Sequence, residues 1–315
     1  MAANDGAGIA SKLKDQIAKV FVGKSNEVDL LLAGFLSGLH VLIEDIPGVG
    51  KTTLARTLAV SAGLDYGRIQ FTPDLLPGDI TGVTVWSQER HDFVYKTGAI
   101  MHQFILADEI NRASSRTQSA LLEAMQERAV TVDGTTYPLL EPFFVVATEN
   151  PLNFAGTFQL PEGQLDRFGL SISIGYPGHE EEVTILDRFK EENPLEVLTP
   201  VITAQDVIDA RNEVRQLRVD RKIKDFVVSI AGKTRQNRFL RLGMSPRSSQ
   251  HLFLASQGAA YMHGRDYVIP EDVLEMVTPV LRHRIILSAE ARMENKSPDA
   301  IIQSILDGMP VPAGI

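Results

Sequence analysis

The chain has no cysteine, which excludes a disulfide framework, a structural thiolate zinc site and thiol catalysis. No apolar run reaches the roughly eighteen residues of a membrane span, so none is expected. The first residues, Met-Ala-Ala-Asn-Asp-Gly-Ala-Gly, lack a basic region followed by an apolar core, so no secretory signal is expected. A soluble, cytoplasmic protein is the expectation. Positive charge is not in excess either: 31 Lys and Arg face 40 Asp and Glu, a formal net charge of −9. That balance weighs against general nucleic-acid binding and leaves room only for a local basic patch. Internal repeats and low-complexity segments are absent, and there is a single tryptophan. What remains is 315 residues of ordinary apolar content, enough for one large domain or two ordinary ones.

The stretch that organises the rest is Glu44-Asp45-Ile46-Pro47-Gly48-Val49-Gly50-Lys51-Thr52-Thr53. An apolar segment, Leu39 to Ile43, precedes it and reads as a buried strand. Leu54, Ala55, Leu58 and Ala59 come next at helical spacing. A strand, a glycine-bearing turn and a helix from Lys51 are the context that a phosphate-binding loop requires. Gly48 and Gly50 let successive N–H groups point inward at phosphate oxygens, and the helix start adds its own free donors. Lys51 suits the β- and γ-phosphates of ATP, and the Thr52 hydroxyl suits Mg²⁺. The strict pattern has glycine where this chain has Asp45; the expectation is a carboxylate turned to solvent at the mouth of the loop. A Pro-Gly turn that merely precedes a lysine is the plainer alternative.

Before the loop, the periodicity gives a helix from Ile9 to Val22 and another from Ser25, read as its N-cap, to Ser37. After it come further short apolar runs: Arg68 to Phe71, Phe104 to Ala107, Phe143 to Ala147 and Leu170 to Ile174. Separated by helical stretches, they predict a parallel sheet covered on both faces. Two inserts interrupt the alternation. Between Asp79 and Met101, Val83 and Val85, then Phe93 and Tyr95, alternate around a polar turn; between Ala129 and Pro142 lies Asp133-Gly134, a strong hairpin turn. From Thr203 onward the pattern is helical, with helix-start signals at Thr203-x-x-Asp206, Ser245-Pro246, Pro270-Glu271-Asp272 and Ser297-Pro298-Asp299. A domain boundary is expected near 193–200, dividing a nucleotide-binding core at 1–195 from an all-helical domain at 196–315.

Phe104-Ile105-Leu106-Ala107-Asp108-Glu109 is an apolar strand ending in two carboxylates. Asp108 suits a hydrated Mg²⁺ and Glu109 suits an attacking water, although acids also favour any helix start. Asn150 closes the next apolar strand, where it can orient water or touch the γ-phosphate; Asn150-Pro151 is equally a turn signal. Arg167 precedes the last sheet strand and Arg247 opens a later helix. Arginine stabilises transition-state phosphate charge, while any single arginine can be a solvated surface charge. Lys233, Arg235, Arg238, Arg241 and Arg247 form a basic run that reads as a solvated face. The seven histidines lack metal-ligand spacing, and His251 and His283 read as packing residues.

Taken in this order, the motifs resemble those of AAA+ ATPases: Walker A at 45–52, Walker B at 104–109, sensor 1 at Asn150, an arginine finger at Arg167 and sensor 2 at Arg247. The chain is similar more narrowly to the MoxR family. The phrases that carry this are Val-Leu-Ile-Glu-Asp-Ile-Pro-Gly-Val-Gly-Lys-Thr, Ala-Asp-Glu-Ile-Asn-Arg-Ala, Leu-Leu-Glu-Ala-Met-Gln-Glu and Leu-Pro-Glu-Gly-Gln-Leu-Asp-Arg-Phe. The resemblance implies a three-layer α/β core with a helix-2 insert near 79–101, a pre-sensor-1 hairpin near 129–142, and a helical lid. It implies ATP and Mg²⁺ bound between core and lid, with Asp45 to Thr53 as the nucleotide loop and Thr52 and Asp108 on the metal. It implies hydrolysis carried by Lys51, Glu109, Asn150, Arg167 and Arg247. A ring, expected to be a hexamer, is implied by the finger arginine. The implied role is chaperone-like remodelling of, or metal insertion into, a client protein, often one with a von Willebrand factor A domain. Departures are small: Ser114-Ser115-Arg116 where Pro-Pro-Lys is common, and Glu149 where Gln is common. A nucleic-acid motor and a non-hydrolysing nucleotide switch are the alternatives. They differ from an ATP-driven chaperone in stimulation by DNA and in absence of turnover.

The two readings of the acidic pair are separated by substitution. Glu109→Gln should keep ATP binding and lose about two to four decades of turnover, whereas Lys51→Ala should weaken binding as well. Equal turnover in wild type and Glu109→Gln contradicts the assignment.

Overall fold

The computed structural model describes residues 6–151, 158–189, 195–196 and 198–312. The expected boundary at 193–200 lies partly outside them. Helix α1 (Gly6–Val20) buries Ala10, Leu13 and Ile17, spaced three and four apart. Helix α2 (Ser25–Ser37) starts one residue earlier than expected: Lys24, at φ 56, is the cap, and Ser25 is the first helical residue. Strand β1 (Val41–Glu44) leads into the loop and α3 (Lys51–Ser61), followed by β2 (Tyr66–Gln70) and the short α4 (Pro77–Thr81). A ribbon of β3 (Gly82–Ser87) and β4 (Asp92–Thr97) then leaves the core, which resumes with β5 (Phe104–Asp108), a 3-10 turn at Ile110–Arg112 and α5 (Ser115–Glu127). A second ribbon, β6 (Ala129–Val132) and β7 (Thr135–Pro138), precedes β8 (Phe144–Glu149), α6 (Glu162–Leu165), β9 (Leu170–Ile172) and α7 (His179–Phe189).

The central sheet has the order β2-β5-β8-β1-β9, with all pairings parallel. Alternate residues of each strand face opposite sides. Val41, Ile43, Phe104, Leu106, Phe144, Val146, Leu170 and Ile172 pack in one cluster with α1, α2 and α3. Leu42, Ile105, Ala107, Val145 and Ala147 pack in the other with Leu121, Leu122 and Met125 of α5. Both faces are therefore covered, as near-continuous apolar strands require.

Both inserts are hairpins. Asp133 at φ 48 and Gly134 at φ 79 make the tight turn of the β6–β7 ribbon. At the root of the β3–β4 ribbon a Cβ on Gly98 would stand 2.1 Å from the Ile80 carbonyl oxygen, so only glycine fits. Tyr95 and Tyr137 stack at 4.0 Å and 15°, joining the two ribbons. Val83 and Val85 do not pack on the core: they are 44% and 39% exposed. The ribbon projects, and it is Tyr95, on the opposite face, that packs against the core. Trp86 crosses to its register partner Phe93, 5.2 Å away edge-to-face, and both rings stay more than half exposed.

The C-terminal part is a helical lid: α8 (Ala204–Gln216), α9 (Arg221–Arg235), β10 (Leu240–Leu242), α10 (Pro246–Met262), α11 (Pro270–Leu281), β11 (Ile286–Leu287), α12 (Ala289–Met293) and α13 (Pro298–Asp307). The predicted starts appear at α8, α10, α11 and α13. An addition to the helical pattern is the antiparallel β10–β11 pair, too short to leave a period-2 signal. No described helix is long and apolar enough to cross a membrane.

The lid and α2 share one core with the sheet. Phe35 of α2 is fully buried, edge-to-face with Phe144 at 5.1 Å, and the Arg211 guanidinium lies 5.5 Å from its ring centre. Phe35→Ala should cost about 3–5 kcal/mol of stability. Urea denaturation checks this, and a cost below about 1 kcal/mol would show that the seam does not hold the lid.

Candidate active site

Because the strands run parallel, β5, β8 and β1, neighbours in the sheet, end side by side. Their ends bring together the loop 45–53, Asp108, Glu109 and Asn150. Gly48 and Gly50 adopt φ 88 and 84, and a Cβ on Gly48 would meet nothing within 4 Å, so the backbone there faces open space. Lys51 donates to the Asp45 carbonyl at 2.6 Å and the Glu149 carbonyl at 3.4 Å. Burial holds its ammonium below its usual range, while Asp45, Asp108, Glu109 and Glu149 pull the other way. Several carboxylates around one lysine make a pocket that suits a cation bound with a polyphosphate.

Asp45 does not point to solvent. It is 6% exposed, and its carboxylate accepts from the Ile174 and Gly175 N–H groups at 2.6 Å each and from Ser173 at 3.2 Å. The charge is satisfied by backbone donors beyond β9, so it ties the loop to the next segment instead of meeting phosphate. In this chain Asp45 replaces glycine to form a clamp.

Asp108 is buried. Its Oδ1 accepts from the Thr148 hydroxyl at 2.6 Å, and its Oδ2 pairs with Arg68 at 2.6 Å. Glu109, at φ 54, donates its N–H to the Thr148 oxygen at 2.8 Å. The Glu109 carboxylate is held by Arg112 at 2.8 Å and Gln70 at 3.3 Å. Thr148 thus fixes both acidic residues through one hydroxyl. Asn111 donates to the Asn150 carbonyl at 2.9 Å, fixing the backbone after β8. Thr148, Arg68, Gln70 and Arg112 were not singled out from the sequence. The alternation along β8, which places Thr148 on the same face as Asp108, hinted at Thr148 alone.

Next to the loop an apolar cavity of about 180 Å³ is lined by Phe21, Val22, Gly50, Thr53, Ile174 and Pro177. The Phe21 ring lies 3.0 Å from where a Cβ on Gly50 would be. The lining residues all precede α8, so this cavity belongs to the core and not to the expected core–lid cleft. Phe21 and Val22 escaped the sequence reading because they look like the end of an amphipathic helix.

Arg167 and Arg247 are not brought to the loop. They line a second cavity, of about 210 Å³, together with Gly38, His40 and Gln126, beside the strand starts. From His40 to Asp45 is five residues of strand, roughly 17 Å at about 3.3 Å each. Arg167 donates to Gln126 at 3.3 Å; Arg247 stands 3.8 Å from Asp166. Arg284 is buried behind them, bound to Asp166 at 3.0 Å, to the Gly169 carbonyl at 3.0 Å, and to the Phe168 carbonyl and His251. His251 is pushed down to about 3 by burial and by Arg284, so it stays neutral. His263, Asp272 and Glu275 also converge. Both Asp272 oxygens are already bound by Arg265, and one caps α11, so charge and lone pairs there are spent internally.

Glu149 is the register partner of Glu44. Burial and then the Glu44 carboxylate push it up to about 7 from its ordinary 4.5, against the pull of Lys51. The folded chain therefore binds this proton more tightly than the unfolded chain. The resulting stability is fully present below about pH 4.5 and is lost as pH rises towards 7. Glu149→Gln, neutral throughout, should gain on the wild type by on the order of 3 kcal/mol between about pH 5 and pH 8. Urea denaturation across that range tests it, and parallel stability curves would contradict it.

The family model for "ATPase family associated with various cellular activities (AAA)" matches residues 40–170, and that for the AAA lid domain matches 232–305. The uncharacterised protein YeaC of Bacillus subtilis is 48% identical over 96% of this chain and 95% of its own length. Chaperone MoxR1 of Mycobacterium tuberculosis is 39% identical over 94% of this chain and 81% of its own. A solved chain from Cytophaga hutchinsonii, described as a presumptive ATPase, superposes with a TM-score of 0.90 at 37% identity, covering 98% of this chain and 96% of its own.

Proposed function

The chain belongs to the MoxR family of AAA+ ATPases, and we propose that each subunit hydrolyses ATP at a site completed by arginines of a neighbouring copy in a ring. That it is an ATP hydrolase of chaperone type rests on the family; the sharing between subunits is carried by a single observation. Arg167 and Arg247 sit beside the strand starts, whereas Lys51, Asp108 and Glu109 sit at the strand ends. One molecule cannot bring both sets to one phosphate.

In this reading the nucleotide base enters the apolar cavity beside Phe21, and the phosphates lie over Gly48 and the first N–H groups of α3. Lys51 leaves its two carbonyl partners for the β- and γ-phosphates. Thr52 and Asp108 would hold Mg²⁺, which supplies charge neutralisation at the phosphate oxygens when bound. Glu109 turns from Arg112 and takes a proton from water as the water oxygen bonds to the γ-phosphorus. The bond to the β-phosphate oxygen breaks, and ADP and phosphate leave. Asn150 orients that water. Arg167 and Arg247 of the adjoining copy stabilise the charge on the transferring group. The ring is a hexamer in this proposal, the setting is the cytoplasm, and the client is a protein remodelled or loaded with metal. A von Willebrand factor A domain is the candidate partner. The relative named Chaperone MoxR1 and the exposed Trp86–Phe93 ribbon support a protein client.

Mixing tests the shared site. Arg167→Ala and Glu109→Gln subunits, each inactive alone, should regain turnover together, because some mixed interfaces hold both intact groups. A finger arginine contributes about three to five decades, so recovery of even a fraction of sites is measurable. Subunits that exchange and assemble yet recover nothing would contradict the reading.

A further inference from the structure

The cavity beside the strand starts contains a third arginine. Arg128 comes directly after the last turn of α5, at φ 52, and lines the same cavity as Arg167 and Arg247. Its side chain is 53% exposed, and its described ion pair, with the still more exposed Glu141, is 3.9 Å long. That contact is too long and too wet to neutralise it. Behind the cavity, Arg211 is buried and donates to the Phe35 and Phe143 carbonyls. Burial lowers it to about 9, and Arg128 and Arg215 add to the effect. Asp166 is taken by Arg284 at 3.0 Å. His40 is held near 3 by burial, Arg211 and Arg128, so it adds no charge of either sign. Three guanidinium groups thus face one cavity whose own carboxylates are engaged or distant, an arrangement that fits an anion from outside.

We propose that Arg128 is a third arginine delivered to the neighbouring subunit's ATP, contacting its phosphates beside Arg167 and Arg247. The inference rests on the shared-site reading and extends it to a residue that no motif marks. A planar fork can bridge two phosphate oxygens, and three forks at one cavity fix orientation as well as charge. Capping α5 alone does not call for arginine, since a left-handed backbone suits asparagine better.

The test uses full-length subunits assembled with ATP. Arg128→Asn keeps the backbone geometry and removes the fork. Turnover at saturating ATP should fall about 10²-fold, the scale for losing one preorganised donor. Assembly size and affinity for a fluorescent ATP analogue should hold. Mixed with Glu109→Gln subunits, Arg128→Asn should regain turnover, which a capping role would not produce. Arg167→Ala mixed with Glu109→Gln runs in parallel. Recovery in both mixtures supports the proposal. Recovery with Arg167→Ala alone overturns it and leaves the shared site standing; recovery in neither overturns both. Wild-type turnover in Arg128→Asn also overturns it. Should Arg128→Asn fail to assemble, Arg128→Lys carries the same test, expected to be about tenfold slower because an ammonium offers no fork, and rescued in the same way.

Discussion

Five parallel strands impose one constraint on everything else: residues at strand ends and residues at strand starts are held at opposite edges of the sheet. The loop after β1, the carboxylates after β5 and the asparagine after β8 share the first edge. The arginine before β9 has the second, with His40 before β1. Helices on both faces and a core without breaks make the sheet rigid, so the two edges cannot approach each other. In the proposed reading each edge holds half of the groups that phosphoryl transfer uses, and a second copy joins them.

Asp166 and Arg284 extend that constraint to the lid. Arg284 comes just after α11 and is buried against the carbonyls of Phe168 and Gly169 as well as Asp166. Ser245 and Ser248, at the start of α10, also donate to Asp166, at 3.4 and 3.5 Å. Arg247 lies between those two serines and is therefore held at the same edge as Arg167. Because Arg284 is buried and Asp166 is its ionic partner, the pair resists rearrangement: breaking it would strand the guanidinium charge in the interior. At the first edge Asp45 has the corresponding role, tying the phosphate loop to the segment that leaves β9 towards α7. Both carboxylates flank β9, so the strand at the edge of the sheet is anchored at its two ends by ionic hydrogen bonds.

Much of this was legible in the sequence where the cause is local. Gly48 and Gly50 declare a turn of left-handed backbone that opens a helix at Lys51, because backbone freedom is encoded within a few residues. Asp133-Gly134 declares a hairpin, and Thr203 with Asp206 declares a helix start, for the same reason. The failures involve partners distant in the chain. Asp45 was expected in solvent, but its donors lie 129 and 130 residues away and are backbone groups, which leave no side-chain signature. Val83 and Val85 alternate as a half-buried strand should, yet the alternation does not say whether a core exists for them to meet. Arg247 could be recognised as chemically apt, while its position at the far edge depends on Arg284 and Asp166, which pair across 118 residues.

The central claim is geometric, and a structure of the assembled Glu109→Gln protein with ATP and Mg²⁺ tests it most directly. The guanidinium groups of Arg167 and Arg247 should lie about 3 Å from phosphate oxygens of ATP bound by the Lys51 of the adjoining subunit. Either arginine found on the phosphate held by its own subunit's Lys51 would contradict the account.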